Sequence, residues 1–365
     1  MGRPGRIRQW RACALIVVLV AGLVGSPAAW AEQTQILPEE YEALEALYDA
    51  TDGGHWAYPW TLPTDTPCDS LYGVTCEDGH VTALALASNN LSGELPPELS
   101  DLGALKMLNM FNNRLQGAIP PALGALTSLE VLELSRNQFS GPIPPQLGNL
   151  VNLQQMAISY NALSGEIPAE FGGLSGLTSL NMQDNRLSGE IPPELANLSN
   201  LEFLILQDNA LSGEIPEEMG NLSNLTLLNL GRNLLSGVIP PALAGATELF
   251  DLYLDSNRLS GPIPPELGNL SDLSLLILGG NQLSCGIPAT LGNLSDLETL
   301  LLSSNALSGP IPPEIGGLTK LRNLSLTDNL LTGPIPPELA NLSRLTSLAL
   351  DSNRLSGEIP PALGN

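Results

Sequence analysis

Residues 177–200 read LTSLNMQDNRLSGEIPPELANLSN, and residues 249–272 read LFDLYLDSNRLSGPIPPELGNLSD. Both fit one 24-residue frame, L-x-x-L-x-L-x-x-N-x-L-x-G-x-I-P-x-x-L-G-x-L-x-x, which runs without insertion from Val81 to Asn365. Twelve asparagines at position 9 mark twelve units, numbered here in chain order: Asn89, Asn113, Asn137, Asn161, Asn185, Asn209, Asn233, Asn257, Asn281, Asn305, Asn329 and Asn353. Such a fixed period indicates a solenoid, in which each unit buries its apolar edge only against its neighbours.

The frame also predicts the path of the chain within a unit. Its L-x-L alternation has period two, which predicts a short strand with leucines inward and the intervening residues outward. A buried asparagine must satisfy its donors and its acceptor, and it can bond backbone groups of its own and adjacent units. The glycine at position 13 suits a bend with positive φ, and the prolines that follow, as in Ile263-Pro264-Pro265, oppose a long helix.

We therefore predict an α/β solenoid, a curved superhelix with short strands stacked into a parallel concave sheet. About 12 strands are expected in that sheet, one from each unit. The convex side should consist of short 3-10 or irregular segments, because the doubled prolines prevent longer helices there.

The frame resembles the plant-type leucine-rich repeat, of which the L-x-G-x-I-P segment is the mark. Repeats of this type occur in the ectodomains of plant receptor-like kinases and receptor-like proteins, and in polygalacturonase-inhibiting proteins. The resemblance covers Val81 to Asn365. It implies a leucine-rich-repeat superhelix that recognises proteins or peptides.

Residues 32–80 are similar to the N-terminal cap of that family. Glu39 to Asp49 has the spacing of an amphipathic helix. The segment CDSLYGVTC at residues 68–76 is similar to the C-x-W-x-G-V-x-C segment of the cap, with the tryptophan replaced near Leu71 or Tyr72. The resemblance implies a lid that covers the exposed leucines of the first repeat.

The cysteines leave two interpretations open. Cys68 and Cys76 lie close together in a loop-rich segment, which favours a disulfide in an exported protein. A zinc site is the alternative, for which the chain offers only His55 and His80. The resemblance to the cap supports the disulfide. In unit 9, Cys285 stands at the glycine position ahead of Gly286, so we expect the bend to shift by one residue, with local strain.

Residues 1–31 have the three-part form of a secretory signal peptide. The positive start, Met1 to Arg11, precedes an apolar run of 13 residues, Ala12 to Val24, and the A-x-A sequence Ala29-Trp30-Ala31. The apolar run is shorter than the roughly 20 residues that cross a bilayer. We expect cleavage after Ala31, no transmembrane segment in this chain, and a secreted or cell-surface protein.

Charge and motifs argue against several classes of function. A formal net charge of −24 should repel nucleic acid, so we expect no nucleic-acid partner. The sequence has no G-x-S-x-G, H-E-x-x-H or phosphate-binding loop, and we expect no catalytic residue, cofactor or metal site. One glutamate recurs after the prolines and forms a solvated column: Glu98, Glu194, Glu266, Glu314 and Glu338.

The domains expected are therefore the signal peptide (1–31), the cap (32–80) and the repeats (81–365). The last unit stops three residues short of its frame, with no polar C-terminal cap in the sequence. Because solenoids need a polar end, we expect a partner, a second copy or missing sequence to cover it.

The variable outward positions predict a ligand-binding patch in units 6–10. Its residues are apolar, whereas neighbouring units carry small or polar residues: Phe203, Ile205, Leu227, Phe250, Tyr253, Leu275, Ile277 and Leu301. Polar residues are expected at its border: Gln207, Asp208, Asn229, Arg232, Asp251 and Asp255. A weaker candidate is the cluster of Met107, Phe111 and Tyr160.

We predict recognition of a secreted or cell-surface protein or peptide by this concave face. The alternative is a structural or adhesive surface protein, or one associated with glycans or ice. Recognition predicts a saturable complex centred on the patch. Adhesion predicts weak, multivalent attachment that persists when any single unit is mutated.

Overall fold

The computed structural model describes residues 36–364, so the predicted signal peptide lies outside the described residues. Over that range, thirteen strands form one long sheet. In spatial order they are Val74–Glu77, His80–Ala85, Met107–Asn109, Val131–Glu133, Gln155–Ala157, Ser179–Asn181, Phe203–Ile205, Leu227–Asn229, Asp251–Tyr253, Leu275–Ile277, Thr299–Leu301, Asn323–Ser325 and Ser347–Ala349. The first two strands are antiparallel, and every later pair is parallel. The predicted curved solenoid with a parallel concave sheet is confirmed.

The register of the parallel strands follows the repeat without a slip, whereas the antiparallel cap strand has a register shift between Thr75 and Cys76. Ser179 pairs with Phe203, Phe203 with Leu227, and Leu227 with Asp251, so each residue lies beside its counterpart 24 positions away. Within the three-residue strands before the last, the middle residue is a buried apolar side chain such as Leu204, and its neighbours face out of the sheet; in the last strand Leu348 is exposed. The sheet has one strand more than the twelve units supply, because the cap contributes Val74–Glu77 as an antiparallel edge.

A second row of short strands, which the sequence did not predict, lies after the asparagine turn. One sheet contains Ser92–Gly93, Arg114–Gly117, Gln138–Pro142, Ala162–Gly165, Arg186–Gly189 and Ala210–Leu211, and another contains Ser260–Gly261, Gln282–Cys285, Ala306–Gly309, Leu330–Gly333 and Arg354–Leu355. The two sheets are separated at unit 7, where Val238 forms only an isolated bridge to Ser260. Ser236 and Gly213 nevertheless keep their backbone hydrogen bond there.

The convex side consists of one short 3-10 helix per unit, as predicted. These helices are Pro97–Asp101, Pro121–Ala125, Pro145–Asn149, Ala169–Gly173, Pro193–Asn197, Glu217–Asn221, Pro241–Gly245, Pro265–Asn269, Ala289–Asn293, Pro313–Gly317, Pro337–Asn341 and Pro361–Gly364. Most begin with the second proline of the frame, which has no N–H to leave unsatisfied at a helix start. Each of the first eleven buries an apolar residue against the core, such as Leu195 or Phe171, and Leu363 of the last is half-buried.

The asparagines at position 9 form a ladder of hydrogen bonds along the solenoid, as predicted. The Nδ2 of Asn233 donates to the carbonyl oxygens of Leu206 in the preceding unit at 3.1 Å and of Leu230 in its own unit at 3.1 Å. Its Oδ1 accepts from the N–H of Leu211 at 3.0 Å. The same pattern repeats at Asn209 and Asn257. One side chain thus joins two successive turns of backbone.

At the first unit the cap replaces the missing preceding turn. The Oδ1 of Asn89 accepts from the N–H of Tyr58 at 2.7 Å, and its backbone carbonyl accepts from the N–H of Ala57. The buried Nδ2 of Asn89 has no partner among the described residues. The cap therefore satisfies the acceptor of the first ladder asparagine and leaves its donor unmet.

The residue before each ladder asparagine adopts left-handed backbone, which the sequence analysis missed. The positive φ values at position 8 include 55° at Asp184, 52° at Arg232 and 69° at Gly280. Asn, Asp and Gly adopt this conformation most readily, and one of them fills position 8 in five of twelve units, with serine in four more. This enrichment was the available signal for the turn.

The expectation for Cys285 is wrong in its main point. Cys285 itself takes the left-handed conformation, with φ of 67°, at the place where glycines of other units have φ near 80°. The strand Gln282–Cys285 keeps its register with Ala306–Gly309. The bend does not shift, because strand pairing to the neighbouring units holds the backbone of unit 9 in place. Cys285 therefore adopts a positive φ in spite of the steric repulsion between its Cβ and the backbone.

The cap packs onto unit 1 through a helix, a short helical turn and an aromatic cluster. The helix Pro38–Ala50 contacts the first 3-10 helix of the repeats, and Gly53–His55 and Pro67–Ser70 follow it. Trp56 and Trp60 are buried edge to face with ring centroids 4.8 Å apart. Cys68 and Cys76 form the expected disulfide. The buried carboxylate of Glu40 accepts from the N–H of Val81, which joins the helix to the first strand of the repeats.

Replacing Asn233 by alanine should destabilise the solenoid by about 2–5 kcal/mol, because buried backbone groups lose their partners. Chemical denaturation measures the change. Asn224→Ala is the matched control, since its exposed Nδ2 makes one bond, to the carbonyl of Ser199; it should cost less than about 1 kcal/mol. Equal losses in the two variants would contradict the role of the ladder.

Replacing Cys285 by glycine should stabilise the protein by about 1 kcal/mol, because glycine adopts positive φ without the steric cost. The denaturation midpoint measures this gain. Cys285→Ser removes the thiol and keeps a Cβ, so it should give no gain. A serine variant as stable as the glycine variant would show that backbone strain is not the cause.

Candidate functional site

The candidate site is the concave face, formed by side chains at positions 3 and 5 of each unit. These positions flank the buried leucine at position 4, so they project from the sheet on the side opposite the core. Parallel pairing in constant register aligns each position into a column along the solenoid. The surface chemistry of the concave face is therefore set by residues that the frame leaves free.

The predicted patch residues all lie on this face or at its edge. Phe203 and Ile205 belong to one strand, Leu227 begins the next, and Phe250 directly precedes Asp251–Tyr253. Leu275 and Ile277 share a strand, and Leu301 ends the following one. Phe203 has 39% of its surface exposed, and the other seven are half-buried.

The patch is less continuous than the sequence suggested. At position 5, Tyr253, Ile277 and Leu301 are direct neighbours. At position 3, Asp251 lies between Leu227 and Leu275. Asn229 likewise separates Ile205 from Tyr253 at position 5. Asp251 and Asn229 were expected at the border, but the register places them within the two columns.

A polar network adjoins the patch at units 6 and 7. The Nδ2 of Asn229 donates to the Oε1 of Gln207, and the Nε2 of Gln207 donates to Asp208. Arg232 approaches the same aspartate, with 3.7 Å between Nη1 and Oδ1. The Oδ1 of Asn229 accepts from the N–H of Gly231 at 3.1 Å. Asn229, Gln207 and Asp208 are therefore joined by side-chain hydrogen bonds, and Arg232 extends the network to the exposed surface.

The weaker candidate cluster does not assemble as one site. Met107 and Phe111 belong to unit 2, whereas Tyr160 belongs to unit 4, so a whole strand separates them. Tyr160 instead contacts its own neighbours. Arg136 lies over its ring at 4.6 Å from the centroid, and Gln183 donates to its hydroxyl at 2.6 Å.

Glu133, which the sequence analysis did not single out, is a buried carboxyl on the concave face. It ends the strand Val131–Glu133, and its Oε1 accepts from the backbone N–H of Ser135 at 2.7 Å. Burial raises the pKa of Glu133, while the hydrogen bonds from Ser135 lower it by a smaller amount. The ionised form is therefore destabilised by folding.

Two further properties concern only part of the chain. Within residues 36–364, no three His, Cys, Asp or Glu side chains gather in a way that could hold a metal ion. In the same range, no helix has the length and apolar character needed to cross a membrane.

A sequence model described as Leucine rich repeat matches residues 127–187 and 199–259, and a second model of that description matches residues 80–102, 104–126, 296–318, 320–342 and 344–365. Together the two models cover more than half of the chain. The chain belongs to the leucine-rich-repeat family.

This leucine-rich-repeat protein is similar to two solved complexes. The PEPR1–AtPEP1 structure is 36% identical with a TM-score of 0.80, and the match covers 90% of this chain and 50% of that chain. The Arabidopsis receptor kinase HAESA, solved with the peptide hormone IDA and the co-receptor SERK1, is 34% identical with a TM-score of 0.78, covering 89% and 55%. This chain thus spans about half the length of these relatives.

A third solved structure is a plant ice-binding protein. It is 25% identical with a TM-score of 0.67, and the match covers 88% of this chain and 96% of that chain. All three comparisons agree with the plant-type resemblance of the repeats.

Glu133→Gln should stabilise the protein at neutral pH and have less effect in acid. Because the folded-state pKa is raised, the stability that this group contributes is fully present below the unfolded pKa of about 4.5 and is lost as pH rises through the folded pKa. The melting temperature of the glutamine variant should exceed that of the wild type by about 2 °C at about pH 7.5.

The gap between the two melting temperatures should narrow below about pH 4. Glu194→Gln, at an exposed convex position, is the control and should leave the melting temperature unchanged at both pH values. A gap that stays constant with pH would show that Glu133 does not carry the effect.

Proposed function

We propose that this protein binds a protein or peptide ligand outside the cell through the concave face of units 6–10. The patch defined above would form the centre of the interface. The solved relatives support a recognition role, since the HAESA structure contains a peptide hormone and the PEPR1 structure contains AtPEP1. No catalytic role is proposed for any residue of the chain.

The observation that carries this proposal is the change from polar to apolar side chains at positions 3 and 5 between unit 5 and unit 11. In unit 5 the paired positions hold Ser179 and Asn181, and in unit 11 they hold Asn323 and Ser325. Between them, Phe203 exposes an aromatic ring on a sheet face where core burial does not require one. Apolar residues clustered on an exposed face, with polar residues around them, are typical of an interface centre.

The extracellular part of the proposal has two supports. Residues 1–31 have the form of a signal peptide. The disulfide between Cys68 and Cys76 is of a kind that persists in oxidising compartments. We therefore look for the ligand among secreted and cell-surface molecules.

A second candidate function is ice association. It is favoured by the likeness to the plant ice-binding protein, because the match covers 96% of that protein's chain. The chain also carries a serine at position 12 in ten of its units. The hydroxyls of Ser212, Ser236 and Ser260 donate to glycine carbonyls of the preceding unit. Because these donors serve the fold, we place this function second.

The test is affinity capture from the native extracellular medium with wild-type protein and with a variant carrying Phe203→Ala and Leu275→Ala. Loss of these side chains should reduce the captured amount of a saturable partner about tenfold or more, since interface-centre truncations cost at least about 1.4 kcal/mol. Circular dichroism and the melting temperature check that the variant is folded.

Ser179→Ala with Asn323→Ala is the matched control, because it alters the same column in units 5 and 11. This control variant should capture as much partner as the wild type. Equal capture by the patch variant and the control would contradict binding through units 6–10. Suppression of ice recrystallisation without any captured partner would favour the second candidate.

A further inference from the structure

We infer, on the basis of the function proposed above, that the ligand of units 6–10 is an extended peptide segment that combines apolar side chains with at least one cationic side chain. Chemically, this is a basic and apolar segment of about six residues lying across the strands. Three features of the concave face lead to it: its charge, the orientation of its backbone and its length.

When the flanking positions 2, 7 and 8 are counted with the concave positions 3 and 5, acidic residues are concentrated in the same units as the patch. Positions 2, 3, 5, 7 and 8 of units 6–10 hold five acidic residues and one basic residue: Glu202, Asp208, Arg232, Asp251, Asp255 and Glu298. The same positions of units 1–5 hold three acidic and two basic residues. The apolar patch thus lies in the most acidic part of the face, and a field of this sign attracts cations.

Glu202 and Asp255 take part in neither the Arg232 nor the Arg322 ion pair. Arg232 pairs with Asp208, and Arg322 of unit 11 pairs with Glu298 at 3.4 Å. Glu202 is exposed and directly precedes Phe203. Asp255 accepts a bond from the hydroxyl of Ser256 at 3.2 Å.

Glycines leave room beside Asp255. A Cβ added to Gly231 would come within 2.6 Å of the Asp255 Oδ1, so the carboxylate occupies the space that a side chain in unit 7 would fill. In unit 9, position 7 is Gly279. The equivalent residues on both neighbouring strands are therefore glycines, which put no side chain beside this carboxylate.

The backbone of the sheet cannot serve as the recognition element on this face. Strands at units 6–10 have partners on both sides, and their N–H and C=O groups bond within the sheet. A ligand on the face therefore meets side chains only, unlike a peptide added to a sheet edge. Affinity for a short segment must come from apolar contact and from charge, which are the two properties that the patch combines.

The dimensions of the patch suit a peptide segment. Five adjacent strands, from Phe203–Ile205 to Thr299–Leu301, are separated by four spacings of about 4.8 Å, or roughly 19 Å in total. An extended chain rises about 3.3 Å per residue, so about six residues cover that distance. Their alternate side chains would face the sheet, where Phe203, Leu227 and Tyr253 lie on successive strands.

The experiment is selection from a phage-displayed library of random peptides of about eight residues on the full chain. Selection is repeated on the variant carrying Phe203→Ala and Leu275→Ala. Peptides enriched on the wild type and absent from the variant should combine Lys or Arg with Leu, Ile, Phe or Val. A synthetic copy of one such peptide should bind about tenfold more weakly when its basic residues are replaced by Glu.

The outcomes separate this inference from the function on which it rests. Patch-dependent peptides that are neutral or acidic would overturn the charge assignment and leave the proposed function in place. Enrichment of the same peptides on the wild type and the variant would overturn both, because the patch would then not be the binding site.

A charge-only variant gives an independent check with the same synthetic peptide. Glu202→Gln with Asp255→Asn preserves shape and removes two charges, so affinity at low salt should fall about fivefold to tenfold, with a weaker dependence on salt. Glu130→Gln with Asp328→Asn is the control, since it removes two charges from the face outside units 6–10. Equal affinities of the two variants would contradict the inference.

Discussion

Every other feature of this protein depends on the hydrogen bonds that each position-9 asparagine makes to two successive turns. The side chain of Asn233 bonds carbonyl groups in units 6 and 7 and an N–H group in unit 6. Because these partners lie in the core, a turn cannot rotate or slip without leaving buried polar groups unsatisfied. The ladder therefore fixes the register of the sheet, and the register decides which variable side chains become neighbours.

The division of labour within a unit explains how one frame can carry a specific site. Packing, hydrogen bonding and backbone geometry determine the residues at the leucine, asparagine, glycine and proline positions, so these positions vary little between units; Cys285 at a glycine position is an exception. Phe203 and Ser179 occupy equivalent positions on adjacent strands, yet one presents an aromatic ring and the other a hydroxyl. The ligand preference can change along the solenoid without disturbing the fold, since these side chains contribute little to the core.

The sequence predicted the repeat, the concave strands, the convex 3-10 helices and the asparagine ladder because each follows from strict periodicity. It missed the second row of strands, because each of these strands has only two to five residues. An alternation of apolar and polar residues cannot be recognised over so short a segment. It also placed Asp251 and Asn229 at the border of the patch, because the sequence does not show which residues pair on adjacent strands. The register places Asp251 beside Leu227 and Asn229 beside Tyr253. The prediction for Cys285 was wrong because it relied on the preference of glycine for positive φ. Pairing to the adjacent units instead holds Cys285 itself at a φ of 67°.

Site-specific photo-crosslinking shows directly whether a ligand contacts the concave face of units 6–10. A benzophenone amino acid is placed at Phe203 in one sample and at the exposed convex Glu194 in another, and each is irradiated with the captured partner. We expect a covalent adduct from position 203 and none from position 194. An adduct from position 194 alone would contradict contact with the concave face.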